Sequence, residues 1–295
     1  QGYLGGMGLP IIFSWFIGGL LSAGVAFVIG KICLGLRSDY LAISTLLISG
    51  IVISVIKHEE WLSRGVKNVI GLKRPAPFEV NLQKSEWFMT LIDKIHFWAP
   101  TTKDVIISSS GIFVKLCFTI IFSITLLTLL YLSERAVNSP WGRMMRAIRD
   151  NETAAKAMGK NIVKQQLNIF MIGSAIIGFA GAMLVTYDGL FTPSSYQPLR
   201  YTFLIWVMVL LGGSGNNYGS ILGAFVVWFI WIESAPIALF IINFCTFFLE
   251  YNNPVKLHLI ESVPYFRYLM MGVGLLLVMR YKPEGLLPEK KISFK

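Results

Sequence analysis

The stretch ERAVNSPWGRMMRAIRDNETAAKAMGKNIVK, residues 134–164, decides how the chain is read. It is polar and rich in arginine, and it lies between the apolar runs 111–132 and 167–186, each close to the ~20 residues that cross a bilayer. A polar segment between two crossings faces water or an aqueous partner. Within it, Ser139 followed by Pro140 has the chemistry of a helix start: a hydroxyl that can cap an orphan amide, then a proline where no N–H is needed. A second short helix is expected to open at Asp150 or Asn151 and to stop at Gly159, a residue that tolerates the left-handed conformation of helix ends. Glu152 and Lys156 stand four apart in the favourable order for an ion pair. Ala154, Ala155, Ala157 and Met158 give this helix a slim surface; at about two turns it is marginal alone and suits a groove on a partner. Arg143, Arg146 and Arg149 share one helix face, and either lipid headgroups or a partner subunit would satisfy them.

Composition supports the membrane reading, since 55% hydrophobic against 14% charged residues is more apolar surface than a water-exposed domain can hide. A net charge of +10 raises the question of nucleic acid. The basic residues, however, sit in loops flanking apolar runs, where they orient membrane spans, so no nucleic-acid partner is expected. Cys33, Cys117 and Cys245 form no CxxC and lie in or beside apolar runs, which makes them packing residues. The chain opens on Gln1 with no signal peptide, so its native start is expected upstream.

The apolar runs 10–30, 41–56, 111–132, 167–186, 219–240 and 265–279, with the shorter 201–211, give about seven crossings and an all-α, polytopic transmembrane helical bundle. Residues 1–295 form a single transmembrane domain, with 57–110 as an external loop and 133–166 as a cytoplasmic segment. Positive charge sets that orientation: Arg135, Arg143, Arg146, Arg149, Lys156, Lys160 and Lys164 outweigh Glu134, Asp150 and Glu152, and the tail adds Arg280, Lys282, Lys290, Lys291 and Lys295. Alternation then leaves Gln1 outside, and an odd number of upstream spans is expected to precede it. Pro236 is expected to break the 219–240 helix, its second half lying outside or at the interface. The alternative, two crossings split at Pro236, throws the basic tail outside. The external loop carries Pro75, Pro77 and Pro100 and the aromatic stretches 87–91 and 95–98, so it holds one or two interfacial helices and is either a docking surface for a solute carrier or a cap.

Gly212, Gly213, Gly215, Gly219 and Gly223 punctuate the turn between the runs 201–211 and 219–240. No GxxxxGK[ST] can be drawn here, and Tyr218 occupies the third glycine of a GxGxxG frame, so this is a tight reversal between spans and not a nucleotide loop. Small residues recur four apart at Ser22, Ala26 and Gly30 and at Ser174, Gly178 and Ala182, which marks close-packing helix faces. Glu233 is an acidic residue inside a span and a candidate for the substrate path, by meeting an ammonium group, or for reaching the interface. Lys115 lies near a span end and can snorkel. His58, His96 and His258 are scattered without carboxylates at ligand spacing, so no metal site and no catalytic residues are expected.

The motifs also occur in a recognisable order. Glu152-Thr153-Ala154-Ala155-x3-Gly159 resembles the EAA-x3-G cytoplasmic loop of ABC importer permeases, and the run from Arg146 through Arg149, Asp150 and Asn151 to Glu152 resembles the LivM-type branch of the branched-chain amino-acid permeases. The run from Leu34 to Ile43 resembles that family's LGLRGDYLAI with Ser38 for glycine. Residues 212–224 resemble its GGxGxxxGPxLGA with Ser220 for proline, and residues 282–287 resemble its closing PxGL. Residues 63–71 keep a weak echo of its TGGxxG.

The resemblance implies one half of an importer's membrane portion, preceded in the family by two or so further spans. Its implied partners are a homologous permease, two cytosolic ABC ATPase subunits, an external solute-binding protein and the lipid bilayer. It implies that Arg146, Arg149, Asp150, Asn151, Glu152, Ala154, Ala155 and Gly159 couple to the ATPase. ATP binds the partner subunit, and no cofactor is expected in this chain. The implied cargo is a branched-chain amino acid, with urea or a short amide as the alternative within the family. A secondary transporter would show more intramembrane charge than Glu233, and a membrane enzyme would show clustered polar groups within spans.

Overall fold

The computed structural model describes residues 9–36, 38–60, 65, 68–95, 102–193, 198–248 and 253–289. Arg37, Ser63, His96, Trp98, Pro100, Lys290, Lys291 and Lys295 lie outside the described residues. The chain divides into two compact units, Gln1–Tyr196 and Gln197–Lys295.

In the first unit, α1 (Ile11–Cys33), α2 (Ser38–His58), α5 (Lys103–Asn138) and α8 (Ile162–Asp188) are long and apolar enough to cross a membrane. Between α2 and α5 come a two-residue strand β1 (Val69–Ile70) and the short helices α3 (Glu79–Leu82) and α4 (Glu86–Ile95). Helices α6 (Pro140–Asp150) and α7 (Glu152–Ala157) precede α8, and β2 (Leu190–Phe191) follows it. The tightest packing is between α1 and α8, which run antiparallel. Gly30 lies against Leu167 and Phe170, Ser22 donates to the Ser174 carbonyl at 2.8 Å, and buried Trp15 donates its indole N–H to Thr186 Oγ1 at 2.9 Å. The two small-residue stripes are therefore the two faces of one contact. At Gly178 a Cβ would collide with the Ser22 side chain and stand 2.9 Å from the Gly18 carbonyl, so only hydrogen fits there.

At 36 residues, α5 is ~54 Å long, well beyond a hydrocarbon core of ~30 Å. It includes residues 103–110, which the sequence reading placed in the external loop, and its N-terminal turns support the rest of that loop. Leu82 of α3 and Phe88 and Ile92 of α4 bury against Val114 and Phe118 of α5, and Trp87, Phe88 and Phe113 meet edge to face. Spacing of four between Phe88 and Ile92 puts both on one helix face, so α4 is amphipathic. Antiparallel pairing of Val69 with Phe191 and Ile70 with Leu190 ties the loop to the end of α8. Close by, the Arg74 guanidinium lies against Gly189 and 3.5 Å from Glu79. The loop is thus folded, with a hydrophobic core that it shares with α5.

The second unit holds α9 (Pro198–Gly212), α10 (Asn217–Cys245), α11 (Pro254–Glu261) and α12 (Val263–Tyr281). Leu204, Val207 and Leu211 of α9, Val227 and Trp231 of α10 and Met271 of α12 form its core. Two of these helices, α10 and α12, meet the length and apolarity of a span, which makes six such helices among the described residues; α9 is the shorter apolar one. The expected count of about seven is therefore close. One expectation is corrected: α10 runs unbroken through Pro236. Proline forfeits one amide donor, to the carbonyl four residues back, whereas ending the helix in an apolar medium would orphan several groups at each new end.

Candidate functional site

The polar segment folds as its capping chemistry dictates. Ser139 Oγ accepts from the Gly142 N–H at 3.3 Å and Pro140 takes the first helical position of α6. Two of the three aligned arginines fold back onto the preceding helix. Arg143 donates to the Asn138 carbonyl and Arg146 to the Val137 carbonyl, each at 3.3 Å. Cations over the last carbonyls of α5 meet orphan acceptors at the negative end of the helix dipole, so α6 is clamped to the end of α5. The third, Arg149, lies 3.1 Å from Asp150, and both are exposed, where such a pair is worth ~1 kcal/mol or less.

Asn151 then caps α7, its Oδ1 accepting from the Ala154 N–H at 3.0 Å and from Thr153 Oγ1 at 2.7 Å. The helix closes at Gly159, whose φ of +76° is the left-handed stop. Glu152 and Ala154 are exposed and Ala155 is half-buried; no residue of α7 is buried, and Met158 beyond its end is 80% exposed. Glu152 and Lys156 form no ion pair in the structure, a correction to the spacing argument: both side chains extend into solvent, where screening removes most of the gain. Two residues after Gly159, Asn161 caps α8 by accepting from the Lys164 N–H at 3.1 Å. The sequence reading missed that cap, although an Asn immediately before an apolar-periodic run is its ordinary signal.

The glycine turn and the tail, separate motifs in sequence, are one structure. Helix α9 ends at Gly212, and Gly213 (φ +115°) and Gly215 (φ +99°) carry the reversal. Asn216 Oδ1 caps α10 by accepting from the Tyr218 N–H at 3.0 Å. Gly212, Gly219 and Gly223 bring the α9 and α10 backbones into direct contact, since a Cβ at Gly212 would strike the Gly219 carbonyl and one at Gly223 the Met208 carbonyl. Onto this turn the tail docks through Leu286 and Leu287, and Asn216 Nδ2 donates to the Pro288 carbonyl at 3.4 Å. Ser220, where the family pattern has proline, donates its N–H to the Asn216 carbonyl at 3.0 Å and so adds a bond proline lacks.

Glu233 sits half-buried on α10, beside buried Ser234, and makes no hydrogen bond or ion pair with any described residue. A second intramembrane charge escaped the sequence reading: Arg267, in the second turn of α12, lies with its guanidinium 5.6 Å from the centre of the Trp231 ring and its Nε buried without a partner. A charge at the centre of a span costs roughly 2.5–3.5 kcal/mol on insertion scales and less toward its ends. In the first unit, a cavity of about 450 Å³ opens between α1, α5 and α8, lined by residues such as Trp15, Phe16, Leu132 and Phe179. Its Thr125 and Thr128 donate back to their own helix, so it is a hydrocarbon-lined space without a charged group.

The family model for the branched-chain amino acid transport system permease component matches residues 2–279. The probable branched-chain amino acid transport permease protein LivM of Methanocaldococcus jannaschii is 30% identical over 92% of this chain and 68% of its own length. The high-affinity branched-chain amino acid transport system permease protein LivM of Salmonella typhimurium is 25% identical over 95% of this chain and 58% of its own. A shorter match, 30% identical over 30% of this chain and 25% of the relative, joins it to the fructose import permease protein FrcC of Rhizobium meliloti. No solved structure matches the chain. With six span-length apolar helices among the described residues, the chain is a multi-pass protein of the prokaryotic cytoplasmic (inner) membrane. It belongs to the branched-chain amino acid transport permease family.

Proposed function

We propose that this chain is the membrane-spanning subunit of an ATP-driven importer for branched-chain amino acids, and that α7 receives the force of a separate ATPase. The observation that carries the reading is the mounting of α7. The helix is capped at both ends, has no buried residue and offers alanines to a partner, yet it is joined through α6 to the clamped end of α5 and through Asn161 to α8. A rod held this way passes displacement into two spans instead of dissipating it in a loop. The partners in this reading are a homologous permease, two cytosolic ABC ATPases that bind the ATP, and an external solute-binding protein. Closure of the ATPase dimer biases two conformations of the spans, which requires coupling free energy and no chemistry in this chain. The names of the relatives support the branched-chain cargo.

The test is co-purification with the ATPase, comparing wild type with Gly159→Pro and Glu152→Lys, alongside uptake of labelled leucine and urea. Both variants are expected to lose the ATPase or its coupling, and leucine uptake is expected to exceed urea uptake. If both variants hold the ATPase and transport normally, the coupling role fails; uptake of urea alone overturns the cargo.

A further inference from the structure

Arg267 is the least explained charge in the second unit. It stands four residues into the 19-residue helix α12, ~6 Å along the axis from its start. Arginines near the ends of spans usually snorkel, extending the head group along the lipid toward the interface. This one does not: its Nε is buried, and the guanidinium rests over the Trp231 ring of α10, which also meets the edge of Tyr268 at 5.7 Å. The side chain is held against protein.

Among the described residues it is also unpaired. Neither Glu233, two residues along from Trp231, nor Glu261, six residues before Arg267, forms an ion pair with it, and Arg267 makes no hydrogen bond to any described residue. The cation–π contact holds the guanidinium beside the ring, and an arginine's planar N–H fork is the geometry that matches a carboxylate. A half-buried guanidinium steadied against an aromatic ring, with its Nε buried and no acid paired to it among the described residues, has the chemistry of an anion site.

We propose that Arg267, held by Trp231, binds the carboxylate of the cargo as it passes α10 and α12. The inference rests on the amino-acid reading above, under which every cargo molecule carries one carboxylate. Branched-chain side chains differ from one another, whereas the carboxylate is common to all, so this site fixes the class of cargo and not the member.

The experiment uses the complete importer reconstituted in proteoliposomes, supplied with saturating leucine-loaded binding protein. Arg267→Met, of similar length and without charge, lowers leucine uptake at least about tenfold while assembly and basal ATP hydrolysis hold, the loss expected when a charge-assisted pair goes unmade. Arg267→Lys, which keeps the charge and loses the fork, falls between. The carboxylate is probed separately with 4-methylpentanoate, which has leucine's skeleton and no ammonium group, against its amide: the acid changes tryptophan emission in wild type and not in Arg267→Met, and the amide changes neither. Uptake by Arg267→Met within twofold of wild type overturns the proposal. So does failure of Arg267→Met to assemble together with normal uptake by Arg267→Lys, because that pattern is structural. If wild type imports no amino acid, the importer reading fails and the site is judged by the acid–amide comparison, where equal responses overturn it.

Discussion

The backbone N–H of Leu287 donates to the carbonyl of Gly212 at 2.9 Å. With the matching bond from Leu286 to Leu211, also 2.9 Å, it gives two of the last carbonyls of α9 the donors that a helix end lacks. The tail thereby fastens to the turn between α9 and α10 while its other side continues into α12, so one clasp holds three helices at the same end. Two motifs far apart in sequence are complementary halves of it.

The clasp depends on bare backbone at Gly213. Its φ is +115°, and a Cβ there would collide with the Leu287 carbonyl. Gly213→Ala is expected to release the tail, raising hydrogen exchange at the Leu286 and Leu287 amides at least about tenfold, the loss of roughly 1.4 kcal/mol of local protection. Unchanged exchange at both amides would show that the tail is held by something else.

Between α1 and α8 the expected ranking is set by what each side chain does. Gly178→Leu forces the helices apart at their closest approach and is expected to lower stability by ~2 kcal/mol or more. Ser22→Ala removes only the bond to the Ser174 carbonyl and is expected to lower it by ~0.6 kcal/mol, typical of interhelical hydrogen bonds in membranes. Thermal unfolding of the detergent-solubilised protein measures both, and a reversed order would contradict the packing described.

These contrasts show what the sequence made legible. Helix starts at Ser139 and Asn151, the stop at Gly159 and the small-residue stripes follow from local chemistry, because a cap or a close-packing face is decided by residues within a turn or two. What escaped was non-local or competitive. The pairing of Leu287 with Gly212 joins positions 75 apart in the chain, and no local rule foresees it. Arg143 and Arg146 share a face as expected, but carbonyls at the end of α5 are nearer acceptors than any partner. Arg267 was hidden inside an apolar run, where its neighbours set the average. The continuation of α10 through Pro236 reflects the apolar medium, which raises the cost of ending a helix above that of one missing donor.

The cap at Asn151 separates a rigid lever from a loose one. Asn151→Ala removes the acceptor for the Ala154 N–H and is expected to cost ~1 kcal/mol of helix stability, while Asn151→Asp retains the cap. On the proposed coupling role, Asn151→Ala uncouples ATP hydrolysis from leucine uptake and Asn151→Asp restores it. Equal coupling in the two variants would mean that the order of α7 is irrelevant to transport.

Unbroken α10 makes a topological prediction. Its 29 residues extend ~43 Å, so Cys245 at its end lies beyond a hydrocarbon core of ~30 Å. Cys245 is exposed, whereas Cys33 is buried and Cys117 partly so. On the proposed orientation, an impermeant maleimide added outside labels Cys245, and the same reagent labels Thr153→Cys only from the inside. Pro236→Ala restores the donor for the Ile232 carbonyl without changing the path of the helix, so labelling of Cys245 stays external and the unfolding midpoint rises. Were Cys245 labelled only from the inside, the chain would turn back near Pro236 and the basic tail would lie outside, which would place α7 and the tail on opposite faces of the membrane.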